Sequence, residues 1–248
     1  MIRMSALIGF HLRQYSRNSY FIMNVLLATV SLVLFQYLAA SVYHESITEV
    51  AWIRAGIFGL WASGTTAAGI VGMQKWQGTL LYLINNPLSD YVSLVALVVP
   101  AATFGLLSFP IAYGVCLMLG VTNMILTAYQ LIFILLLWIG ATILDLCIAS
   151  LFILTKDAII YETIIELPLL IFSGLFTLPA FMMRIVDVLE WIIPISLPIQ
   201  WLLQQESFSF NSFLRYVISN LMMLTISFFV TRRIIEVAKQ TGQFGGLS

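Results

Sequence analysis

The chain has 248 residues, 61% of them hydrophobic and only 9% charged, where ordinary soluble domains carry roughly 25% charge. With a mean hydropathy of +1.01, this composition excludes a soluble globular domain and describes an integral membrane protein. The 11 basic and 11 acidic residues cancel, so no global basic field marks nucleic acid as a partner.

From Met4 onward, Met4, Ile8, Leu12 and Tyr15 recur at helical spacing, with Arg3, Arg13, Gln14 and Arg17 on the other side and Phe10 breaking the pattern. This predicts a basic amphipathic helix in the headgroup layer, leading into the first span. The first twenty residues hold no uninterrupted apolar run before a small-residue cleavage site, so no cleaved signal peptide is expected.

A helix needs about 20 apolar residues to cross about 30 Å of hydrocarbon. Six blocks meet that length, at 20–42, 52–73, 91–119, 129–154, 159–178 and 213–235. The expected architecture is all-α, a single transmembrane domain over 1–248 with no soluble domain. The third block is long and holds Pro100 and Pro110, so it is expected to kink or tilt rather than split. Glu162, Glu166 and Pro168 shorten the apolar part of the fifth.

Positive charge in the loops sets orientation. With the N-terminus inside, eight basic residues face the cytoplasm (Arg3, Arg13, Arg17, Lys75, Lys156, Arg232, Arg233 and Lys239) and three, Arg54, Arg184 and Arg215, face outward. Both termini are therefore expected in the cytoplasm, in a cell membrane.

The stretch between the second and third spans, QKWQGTLLYLINNPLSDY, then lies on the cytoplasmic face. Lys75, Trp76 and Gln77 read as its wet edge. Gly78 and Thr79 start a short amphipathic helix through Leu80, which Asn86 and Pro87 end, and Ser89 with Asp90 caps the next span. Lys156 and Asp157 mark a second short cytoplasmic foot, with Glu162 and Glu166 one turn apart on one helix face.

Gly64, Ala68 and Gly72 recur every four residues in the second span. Such a stripe lets backbones approach closely, within one subunit or between two copies. Asp145 lies inside the fourth block, where a charge costs roughly 2.5–3.5 kcal/mol, so it needs a partner or water. A structural interhelical hydrogen bond, a place on a substrate path and proton coupling all remain open readings, and Glu166 is the other intramembrane carboxylate. After Pro168, Ser173-Gly174 reads as a bend in the run that holds Phe172, Phe176 and Pro179, all taken as part of an outer gate. The aromatic and proline-rich stretch that follows, to Asn211, suits short helices dipping into the outer interface as a gate.

No P-loop, no H-E-x-x-H and no Cys/His cluster occurs in the sequence, so catalysis, bound cofactor and bound metal are not expected of this chain. Cys116 and Cys147 read as small buried apolar residues.

Six spans, a basic N-terminal helix and the run Lys75-x-x-Gly78-Thr79-Leu80 followed by Asn86-Pro87-Leu88-Ser89 resemble the membrane subunit of an ABC-2 type exporter. Pro168 and Phe172-Ser173-Gly174-Leu175-Phe176 up to Pro179 are similar to the family's segment before its outer re-entrant helices. The likeness covers the chain by topology and about thirty residues by motif. Gln74, Gln77 and Leu81 stand where the family usually has acidic residues, and Asn86 stands where it usually has threonine.

The resemblance implies a permease that exports an amphiphile such as a drug, antimicrobial peptide, lipid or lipid-linked glycan. It also implies a second copy or related permease, and two cytosolic ATPase subunits holding ATP and Mg, docked on the feet at Lys75–Pro87 and Lys156-Asp157. The competing classes are an ion-coupled secondary transporter using Asp145 or Glu166, and a non-transporting membrane immunity or scaffold protein.

Overall fold

Hydrocarbon offers no partner to a backbone N–H or C=O, so a crossing segment must pair its polar groups internally. The computed structural model describes residues 2–80, 89–155, 164–165, 168–176, 179, 188–189 and 191–241. Among these described residues every regular element is a helix: α1 (Ile2–Ser16), α2 (Ser19–Val42), α3 (Ala51–Trp76), α4 (Asp90–Thr103), a 3-10 turn (Phe104–Leu107), α5 (Ser108–Met118), α6 (Ala128–Phe152), α7 (Ser196–Leu202) and α8 (Phe210–Thr241). Residues 168–172 are also helical.

Among the described residues, five helices are long and apolar enough to cross a membrane: α2, α3, α4 running through α5, α6 and α8. They correspond to five of the six blocks expected from sequence, and the sixth, 159–178, is described only in part, at 164–165 and 168–176. The third block crosses as one helix interrupted by its 3-10 turn. Pro110 cannot donate to the Leu106 carbonyl, and its ring crowds that oxygen, so the helix tightens just there. The Ser108 hydroxyl lies 2.6 Å from the Gly56 carbonyl oxygen and 2.7 Å from that of Gly105, which ties the irregular turn to α3.

Helix α3 is the axis of the bundle. It packs against α2, α4, α5 and α6 and is largely buried, whereas α2 and α8 bury less than a quarter of their spans. Glycine makes the tightest approach possible: a Cβ on Gly59 would overlap the Thr29 hydroxyl of α2 and lie 2.7 Å from Ser108 Cβ. Register follows from polar contacts. The Asn24 amide donates to the Ala62 carbonyl at 3.0 Å and to the Thr66 hydroxyl, and Gln36 donates to the Ala51 carbonyl at 3.2 Å. Below Asn24 only five residues of α2 remain, while α3 runs fourteen past Ala62. At 1.5 Å per residue, α3 therefore projects roughly 13 Å beyond the level at which α2 begins. The end of the bundle with this projection is called basal here, and the opposite end distal.

Helix α1 lies against α4. The Tyr15 hydroxyl reaches the Leu97 carbonyl at 3.5 Å, and the Tyr15 ring stacks on Phe21 at 4.7 Å between centroids. Its buried face is His11 and Tyr15, flanked by the half-buried Met4, Leu7 and Ile8. The expected stripe had Leu12 in place of His11, and that reading is corrected: Leu12 is exposed. His11 and Leu12 flank Tyr15 to either side on the helix surface, and the side turned to α4 is that of the histidine.

Candidate functional site

Helix α3 does not stop at Met73 as the hydropathy suggests. Gln74, Lys75 and Trp76 are its last turn. Gly78 closes the helix at φ 68°, a conformation that costs glycine little. The Thr79 amide donates to the Gln74 carbonyl at 2.9 Å and the Gly78 amide to the Lys75 carbonyl at 3.1 Å, which together form a Schellman cap. The Thr79 hydroxyl adds a bond to the Gln74 side chain, and Leu80 is helical and buried just after it.

Lys75 is not on a wet edge, and that expectation is corrected. It is only 8% exposed, and its ammonium donates to the carbonyls of Ile153 at 3.2 Å and Thr155 at 3.3 Å. These carbonyls end α6, where the last turn lacks intrahelical donors and carries the negative end of the helix dipole. The cation is stabilised there without an aqueous face. Gln77 and Gly78 are exposed. Ser89 is the N-cap of α4, with no side-chain cap bond, and Asp90 in the first turn pairs with Lys239 of α8 at 2.9 Å. Helix α8 runs six residues past the expected end at Ile235, and this pair uses that extension. The predicted coupling residues Asn86, Pro87, Lys156 and Asp157, and the carboxylate Glu166, lie outside the described residues, as does the Trp76 side chain.

Asp145 is fully buried in α6. Gly64 of α3 faces it: a Cβ there would lie 2.7 and 2.8 Å from the two carboxylate oxygens. Ala68, one turn on, is fully buried, and Gly72 is half-buried. The first position of this small-residue stripe thus abuts a helix of the same chain.

In the distal half, Ser173 is buried and donates to the Leu170 carbonyl at 2.7 Å. Gly174 turns the chain at φ 85°, with the Gln200 and Gln205 side chains 3.7 and 3.8 Å from where a Cβ would sit. Pro168 and Pro179 are exposed, Phe172 is half-buried and Phe176 exposed. Residues 193–202, including α7, are buried without a break. A Cβ on Gly140, in the middle of α6, would lie 2.7 Å from the Pro194 carbonyl oxygen, so the stretch reaches the mid-level of that helix. It rises to Trp201, which packs with Phe133, Phe208 and Tyr216. Trp201 is 3% exposed, buried within the stretch expected to dip into the outer interface. Arg215 pairs with Glu206 at 2.6 Å and lies over the Trp191 ring.

Two features escaped the sequence reading. One is the polar side of α8: Ser212, Ser219, Asn220, Ser227 and Thr231 are all buried, with Thr231 and Ser150 of α6 bonded at 2.6 Å and Tyr216 donating to the Leu136 carbonyl at 2.8 Å. Their seven- and four-residue spacing was the available signal. The other is a distal cavity of about 370 Å³, lined by residues that include Tyr37, Glu45, Glu49, Thr122 and Asn123.

Comparison with protein-family models, curated proteins and solved structures returns no match.

Proposed function

We propose that this chain is the membrane-spanning permease subunit of an ATP-driven ABC-2 type exporter in a cell membrane, with both termini cytoplasmic and ATP hydrolysed on a separate cytosolic subunit. The observation that carries the reading is the ordered basal end of α3. It is capped at Gly78 and bonded through Lys75 to the end of α6, just where the segment to Ser89 begins. A push on that segment is delivered to two helices at once, and one of them carries Asp145. This is what a docking foot must do to turn a partner's closure into a change in the bundle. The motifs around Gly78-Thr79 and Ser173-Gly174 support the same reading. In it, a second permease copy completes the path, residues 193–202 close its outer mouth, and the cargo is an amphiphile.

The buried Asp145 favours a second reading, an ion-coupled secondary transporter. Reconstitution of the full chain with a P-loop ATPase, sought in the neighbouring reading frame, separates the two. Efflux of a fluorescent amphiphile that needs ATP supports the exporter. Efflux driven by a proton gradient without ATP supports the carrier, and no flux under either condition points to an immunity or scaffold protein.

A further inference from the structure

Docking of α1 through His11 and Tyr15 fixes what its other side does. At 100° per residue, Phe10 and Arg13 share the face turned away from α4, and Arg17 follows in the turn just past the end of α1 at Ser16. Phe10 is 62% exposed, and both arginines are exposed. Among the described residues neither arginine has an ion-pair partner. Arg232 and Arg233 of α8, by contrast, both pair with Glu236, at 3.4 and 3.5 Å. Two uncompensated guanidinium groups one turn apart, with an exposed phenylalanine among them, match a phosphodiester whose acyl chains lie alongside. On α2, the next helix, Tyr20, Met23 and Leu27 are exposed.

We propose that Phe10 and Arg13 of α1, with Arg17 just after it, form a docking surface for an anionic phospholipid. The phosphate sits between the two arginines, Phe10 enters the acyl boundary, and the acyl chains run along the exposed side of α2. The site holds α1 in the interfacial plane and makes its seating on α4 depend on lipid charge. It does so whatever the chain transports.

The test uses the full chain in phosphatidylcholine nanodiscs, with phosphatidylglycerol titrated in, and native mass spectrometry to count the lipids retained. Phosphatidylglycerol should be retained over phosphatidylcholine. Each of Arg13→Gln and Arg17→Gln should weaken retention about fivefold, and the double variant about thirtyfold. Arg232→Gln with Arg233→Gln should leave it unchanged. Equal retention of the two lipids by the wild type would overturn the proposal. So would an Arg13→Gln/Arg17→Gln variant that keeps its helical circular dichroism and retains phosphatidylglycerol as the wild type does. Equal losses from the α8 pair would also overturn it, since they would show a general response to positive charge.

Discussion

The ammonium of Lys75, in the last turn of α3, lies 3.2 Å from the carbonyl oxygen of Ile153 at the end of α6. Two helices that are far apart in sequence are joined by a cation on a helix C-terminus, at the point where the chain leaves the bundle for the α3–α4 segment. A lysine read from sequence as a solvated contact instead joins the ends of two helices.

Lys75→Met should therefore destabilise the folded chain, because it removes charge-assisted bonds worth about 1.5–3 kcal/mol each and leaves buried carbonyls without their donor. Lys75→Arg should recover part of the loss, and Gln77→Ala, at an exposed position, should fall within about 0.5 kcal/mol of the wild type. Thermal unfolding in detergent reads all three. A Lys75→Met protein as stable as the wild type would mean that the clamp contributes nothing.

At Gly64 and Asp145 the expected coupling is steric and polar together. Gly64→Ala should lower the yield of folded protein, because its methyl group would sit 2.7 Å from a carboxylate oxygen. Asp145→Asn should express well and Asp145→Leu poorly. Combining Gly64→Ala with Asp145→Ala should cost less than the sum of the two, by about 0.5–3 kcal/mol. Strict additivity in denaturant titrations would place the two residues apart.

Five of the expected spans were legible because twenty apolar residues in a row have few other uses, and the irregular turn in the third because Pro110 must disturb the turn before it. Charge and polarity misled at the contacts. Lys75 reads as wet, and only the three-dimensional meeting with Ile153 reveals carbonyls that need a donor. His11 reads as polar, so Leu12 took its place in the expected stripe. The serines and Asn220 of α8 carry a helical period, yet hydropathy averages them away. At Ser173-Gly174 the reading and the geometry coincide in a bend, because a glycine after a buried serine that caps its own helix leaves few other conformations.

That bend gives a third expectation. Gly174→Val forces a β-branched residue into φ 85°, at a cost of about 1–3 kcal/mol, and should slow release of cargo while ATP binding by the partner is unchanged. A cysteine at Phe176 should react from outside with a membrane-impermeant maleimide, and one at Trp201 should not react until the protein unfolds. Fast labelling at Trp201 would contradict the buried course of 193–202.

Acid should loosen α1. Burial holds the His11 imidazole below its usual value, with the Gln14 side chain opposing more weakly, whereas a histidine released to water titrates near about 6.5. The neutral ring is the docked form, so its contribution is complete above about 6.5 and declines as pH falls through that value toward the folded one. Hydrogen exchange of the α1 amides, corrected for intrinsic rate, should quicken between pH 7.5 and 5.5 in the wild type and stay flat in His11→Phe. Identical profiles would remove His11 from the account.

The most direct test of the central claim places a photocrosslinking benzoylphenylalanine at Gln77, which is exposed beside the Gly78 cap. Irradiation of cells expressing the full chain should join it to a separate protein whose captured sequence contains G-x-x-x-x-G-K-[ST], and added ATP analogue should change the yield. Crosslinks that reach only lipid or this chain itself would contradict an ATPase docked at the basal end of α3.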